Sequence, residues 1–114
     1  MAINNKTFQP VQILTIKATG DVAGNRFVNF LGNLCGANQK SFGVSLSNFS
    51  NGSYASIVVL GTAIVEAGGT ITVGDKVTSD SLGRAVTATT GAEVNGRALS
   101  SASAGEFVKI FLVP

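Results

Sequence analysis

Residues 42–61 can be laid over residues 95–114 with a constant offset of 53 and no gap. Gly43 falls on Gly96, Leu46 on Leu99, Ser47 on Ser100, Ser50 on Ser103, Gly52 on Gly105 and Ile57 on Ile110. Tyr54 falls on Phe107 and Val59 on Leu112, so apolar character is kept where identity is lost. With small gaps the match extends upstream, setting Gly24 on Gly74, Phe27 on Val77, Leu31 on Leu82 and Gly32 on Gly83. The chain therefore reads as one structural unit used twice, over roughly 24–61 and 74–114.

That unit is built of strands. The 14 glycines punctuate the chain, and the runs between them are rich in Val, Ile, Thr and Phe, residues that suit a pleated surface. No long segment shows apolar residues at helical spacing behind a cap. Strands are predicted over 11–18, 26–31, 42–48, 53–60, 62–66, 70–73, 76–78, 84–89, 94–100 and 106–113. Asn51-Gly52 suits a type I′ hairpin, since both residues tolerate positive φ. Asp80-Ser81-Leu82-Gly83 suits a type I turn. Many short strands without helices leave two all-β solutions, a small sandwich or a barrel. Residues 11–114 form this single β domain, and residues 1–10 read as a flexible arm before it.

The repeat also assigns the faces. In the last strand Val108, Ile110 and Leu112 share one side by the alternation of side chains, and their counterparts Ala55, Ile57 and Val59 are apolar too. That side is the expected core. The other side carries Phe107, Lys109 and Phe111, matching Tyr54, Ser56 and Val58, and is expected to be partly exposed or at an interface. A slip of one residue would bury Lys109 without a partner, at a cost of several kcal/mol.

Charged residues make up only 12% of the 114, about half the usual share, so neutral Ser, Thr, Asn and Gly must cover the outside. A surface of that kind is weakly hydrated and suits permanent association. The net charge is +2, and the eight basic residues are scattered, so no stripe tracks phosphates and no nucleic-acid partner is expected. No apolar run nears the roughly 20 residues of a membrane helix, and no membrane partner is expected. There is no histidine, which removes Ser-His-Asp and Cys-His catalysis, and with one cysteine the usual zinc sets as well. The carboxylates Asp21, Asp75, Asp80 and Glu106 sit at turns, with Glu66 and Glu93 beside strands, which is turn chemistry rather than an acid/base pair. Gly68-Gly69 lacks the lysine and the helix of a phosphate loop. No catalytic, metal or cofactor site is expected, and the chain is read as a non-enzyme. Cys35, between Leu34 and Gly36, reads as a small buried hydrophobe. The polar start of the chain shows no signal-peptide pattern, and synthesis in the cytoplasm is expected.

Candidate residues are therefore contact residues. Phe8, Gln9 and Pro10 suit an arm that orders against a partner as an extended segment. Phe30 and Phe49 lie near turns and are either interface anchors or satellites of the core. Tyr54, Phe107 and Phe111 lie on the second strand face, and Arg97 breaks the repeat where its counterpart is Val44.

The C-terminal half carries Val73-Gly74-Asp75-Lys76-Val77, then 83–88 (GRAVTA), then 94–99 (VNGRAL), and ends on 104–110 (AGEFVKI). In order and spacing these pieces resemble the DUF2190 family of small tailed-phage proteins, the capsid decoration or cement proteins. The resemblance covers about 45 residues, and the first half departs from the usual pattern. It implies a structural virion protein on the capsid exterior, partnered by the major capsid protein and by itself as a homodimer or homotrimer. It further implies that the shell is stabilised by bridging capsid subunits. The residues themselves leave a second reading, a carbohydrate- or protein-binding β module for receptor or surface adhesion.

Overall fold

The computed structural model describes residues 9–113. Eight strands are present: β1 (Pro10–Lys17), β2 (Phe27–Val28), β3 (Gly43–Ser45), β4 (Tyr54–Glu66), β5 (Lys76–Ser79), β6 (Ala85–Thr87), β7 (Gly96–Ala98) and β8 (Phe107–Leu112). Among the described residues there is no helix. The sheet runs β2-β3-β4-β8-β7-β5-β6, with β1 also paired to β4. The segments predicted as 53–60 and 62–66 are one 13-residue strand, continuous through Gly61. The predicted strand 70–73 contributes only the bridge between Ile71 and Ala102.

The long β4 serves two lobes. Its first half pairs with β1, from Lys17 opposite Tyr54 to Pro10 opposite Gly61, and with β3 on its other side. Its second half pairs with β8, from Thr62 opposite Phe111 to Glu66 opposite Phe107. Each lobe curls until its ends meet: Thr19 N donates to Gly32 O at 2.9 Å in the first, and Gly68 N donates to Ala85 O at 2.8 Å in the second. The all-β fold is thus barrel-like, since curling removes most of the exposed edges that a flat sheet would leave.

The two lobes share one register. Val44 opposite Val58 and Ser45 opposite Ile57 become Arg97 opposite Phe111 and Ala98 opposite Ile110 at the offset of 53. Lys17 opposite Tyr54 becomes Glu66 opposite Phe107, so the earlier strands correspond at an offset of 49. The difference of four residues lies in one hairpin: Asn29 N reaches Asn33 O across a short tip, whereas Thr78 pairs with Val86 across a longer one. The upstream alignment read from sequence is corrected here. Lys76, not Val77, stands at the position of Phe27, because Phe27 pairs with Val44 as Lys76 pairs with Arg97. Asn25, not Gly24, corresponds to Gly74, and both have positive φ, 58° and 90°. Asparagine is among the few residues that enter this region readily, which hid the match.

Val108, Ile110, Leu112, Ala55 and Ile57 are buried, and Val59 is half-buried. On the opposite side Phe111 and Tyr54 are exposed, and Ser56, Phe107 and Lys109 are half-buried. Val58 departs from the expectation for this side: it is fully buried, together with Val44, Phe27 and Cys35, in the cluster that fills the second lobe. The cause is the junction between lobes, where the outer side of the first lobe is covered by the second. Ser79 sits at its centre, its Oγ donating to Gly36 O at 2.6 Å while its carbonyl accepts from Asn38 N at 2.8 Å. Buried Asn95 accepts from Ser41 N at 2.9 Å and donates to Gln39 O at 3.0 Å. An ion pair of 2.9 Å joins Arg26 to Glu66. Satisfying these groups from the other lobe avoids the penalty for burying them unpaired.

Candidate functional site

Four of the six carboxylates are occupied in holding turns. Asp80 pairs with Arg84 at 2.8 Å and accepts from Leu82 N and Arg84 N, each at 2.9 Å. Asp21 accepts from Asn51 N, Asp75 from Thr72 N and Glu106 from Ser103 N, each at 3.0 Å or less. Among the described residues no group of three His, Cys, Asp or Glu side chains could hold a metal ion. Cys35 is buried, and loss of solvent pushes its thiol up to about 12, against a hydrogen bond from Ser79 and the charge of Lys40. A thiol of that kind is not a nucleophile at neutral pH. Burial lowers the Lys40 ammonium, while Glu93 and Cys35 act in the other direction. That ammonium donates to Val94 O at 2.7 Å and Val113 O at 2.6 Å across the junction.

What the surface does offer is contact. Thr62, Phe111, Arg97 and Lys76 are consecutive cross-strand neighbours on β4, β8, β7 and β5. Arg97 and Phe111 are thereby brought side by side, with Arg97 also donating to Gly74 O at 3.0 Å. This outer side of the second lobe corresponds to the covered side of the first: Phe111 stands for Val58, Arg97 for Val44 and Lys76 for Phe27. In the first lobe all three are buried, and in the second all three are exposed. Beside this row lies a cleft of about 360 Å³ lined by Lys76, Val94 and the loop 88–92.

The remaining candidates are dispersed. Phe30 is 68% exposed at the tip of the first-lobe hairpin, its ring edge-on to Phe42 with centroids 5.5 Å apart. Tyr54 is exposed at the start of β4, opposite Lys17, and Phe107 is half-buried opposite Glu66. Phe49 is half-buried against the first-lobe core. Gln9 N donates to Thr62 Oγ1 at 2.8 Å and Pro10 lies opposite Gly61, so both are drawn onto β4; Phe8 lies outside the described residues. Sequence reasoning missed Leu31, Val11 and Ile13, exposed at 76%, 75% and 47%. The aliphatic run in β1 reads as core, and nothing local in it marks a strand with both sides largely open to solvent.

The molecule is thus a duplicated, barrel-like β body, most of whose carboxylates hold turns and whose outer faces carry exposed aromatics. The chain matches the family described as phage cement protein over residues 7–112, and it belongs to that family. The match carries that description rather than the DUF2190 name suggested by the C-terminal motifs. Among solved structures it is similar to the head fiber gp8.5 N base of bacteriophage phi29. The TM-score is 0.75 at 23% identity, over 90% of this chain and 93% of that one, which establishes a shared fold. No curated protein matches it in sequence. The protein is thus a structural, capsid-associated component of a virion.

Proposed function

We propose that the protein, made in the cytoplasm of the bacterial host, binds the outside of the assembled capsid and bridges neighbouring major capsid subunits. It does so as a homodimer or homotrimer, and so stabilises the shell against internal pressure. One observation supports this reading above the others: exposed apolar side chains on a rigid, charge-poor body. Val11, Phe30, Leu31, Tyr54 and Phe111 are each more than half exposed and so available as anchors for a partner. They lie on different elements, as contacts to several neighbours require, and do not form the single aromatic platform of a glycan site. Many copies, each with a modest interface, together resist rupture far beyond one contact, because linked sites act at high effective concentration. Residues 1–8 are proposed as an arm that adds to this binding.

The test is to add purified protein to capsids that lack it and to measure co-sedimentation and the temperature of capsid rupture. Saturable binding with a raised rupture temperature is expected. Absence of binding, or binding without a change in rupture temperature, refutes the bridging role. Binding to a glycan array without affinity for capsids would establish the adhesion reading instead.

A further inference from the structure

We propose that copies of this chain associate head to tail, the hairpin tip 29–33 of one copy entering the cleft on the second lobe of the next. The inference deepens the self-association proposed above and rests on that part of it, not on capsid binding.

The template lies inside the chain. The first-lobe counterpart of the cleft is formed by Phe27, residues 35–39 and Ser41, and the second lobe's longer hairpin fills it. Ser79 and Gly83 of that hairpin hold it there, through Gly36 O, Asn38 N and, at 2.7 Å, the bond from Phe27 N to Gly83 O. The second lobe presents the same cleft with no hairpin of this chain in it. The first lobe presents the corresponding tip with Phe30 and Leu31 among the most exposed apolar residues of the molecule. The chain thus holds one completed junction and two unmatched halves of another.

The halves are chemically complementary. Arg26 and Glu66 pair at 2.9 Å in the completed junction. Their counterparts are Asp75 beside the cleft and Lys17 on the tip side: the signs are exchanged, and the two are still opposite. The polar trio Gln39, Ser41 and Asn95 of the junction has as counterparts Ala92, Val94 and Phe42, an apolar trio, so each set suits its own partners. Two further contacts are not reproduced: Phe30 stands at the position of Ser79 and has no hydroxyl to donate, and Glu93 stands at the position of Lys40, exchanging an ammonium donor for a carboxyl group. Lys76 and Arg97 also replace the buried Phe27 and Val44. With those bonds absent and no shared strand, the contact between copies is weaker than the junction within one, and reversible. Because each copy carries one tip and one cleft, the contact repeats into a closed ring or a filament, the smallest ring being a pair in which each tip enters the other's cleft.

Sedimentation and light scattering of the full chain from about 1 μM to about 1 mM, the range of weak reversible interfaces, test this. Wild type is expected to assemble into dimers or larger species. Leu31→Asp at the tip and Thr89→Arg at the cleft are each expected to be monomeric where wild type is assembled. An equimolar mixture of the two contains one intact tip and one intact cleft, so it is expected to form a one-to-one heterodimer and nothing larger. That recovery also proves both variants folded. A wild type that stays monomeric overturns the inference together with the self-association it rests on. Variants that assemble normally, or a mixture that stays monomeric, overturn the inference alone.

Discussion

Replacing Gly96 by alanine places a methyl group against Ile110 Cγ2 and 2.6 Å from Phe111 O. One obstacle is the backbone of the paired strand β8 and the other is a fully buried side chain, so neither yields cheaply. The strands must part by several tenths of an ångström at the point where β7 closes the second lobe. Overpacking of this kind costs about 3 kcal/mol, the upper end of its usual range. For a chain of this length that lowers Tm by roughly 10–20 °C. Gly43 is its counterpart and meets the corresponding atoms, Val58 O and, at 2.7 Å, Ile57 Cγ2, so Gly43→Ala is expected to cost as much. Two controls separate the causes. Gly105 has nothing within 4 Å of an added Cβ but a φ of 84°, so Gly105→Ala carries only the backbone penalty, about 1–2 kcal/mol. Gly36 meets only Gln39 Oε1 at 3.8 Å and lacks positive φ, so Gly36→Ala should stay within about 1 kcal/mol of wild type. Urea unfolding followed by circular dichroism, with m held constant, gives the ranking. If Gly96→Ala proves less damaging than Gly105→Ala, the claim that close strand approach demands glycine at both repeat positions is wrong.

Glu66→Ala leaves the Arg26 guanidinium, whose Nε already has no partner, without its carboxylate inside the junction. A loss of about 1–2 kcal/mol is expected by chemical denaturation, with part of it recovered in the Arg26→Met, Glu66→Ala double variant. Asn95→Ala strands Ser41 N and Gln39 O and should cost about 2–3 kcal/mol; a loss below about 0.5 kcal/mol would show that water takes its place. Cys35 should resist thiol reagents until the protein unfolds, since it is buried and keeps its proton up to about 12. In the unfolded chain it ionises near 9.0, so its contribution is intact below that pH and is lost as pH rises toward 12, by about 1.4 kcal/mol per pH unit. The depressed Lys40 acts in the opposite sense between its folded value and 10.5, so the measurement is the difference between wild type and Cys35→Ala. Parallel pH profiles of stability for the two would refute the assignment.

The repeat was legible in sequence where side chains meet the same neighbours in both lobes. Gly43 and Gly96, or Ile57 and Ile110, face one strand crossing, and that crossing accepts little else. It was illegible where the lobes meet different surroundings. Phe27 and Lys76 occupy one position of the unit, yet one is buried under the other lobe and the other faces outward. Alternation on β4 likewise assigned Val58 to an open side, because local pattern reports the pleat and not what a distant segment lays upon it. The same limit applies to the contact residues. Phe111 was singled out by its strand face and Arg97 by its break in the repeat, and the two do adjoin, but Leu31 and Val11 look like core until the fold leaves them outside.

Divergence of the two lobes follows from the size of each. A unit of roughly 50 residues buries too small a share of its surface to be stable alone. The chain meets this by sharing β4 and by closing the outer side of the first lobe with the second. Covering that side allowed Phe27, Val44 and Val58 to become wholly apolar, and made the first lobe dependent on its neighbour. The second lobe ends the series, so its corresponding side had to tolerate water, and Lys76 and Arg97 supply that tolerance. Phe111 was not exchanged in the same way and remains 52% exposed beside Arg97. An aromatic kept at the one uncovered copy of a buried position, beside a cleft whose twin is filled, is what a body that adds further copies would retain and a solitary one would lose.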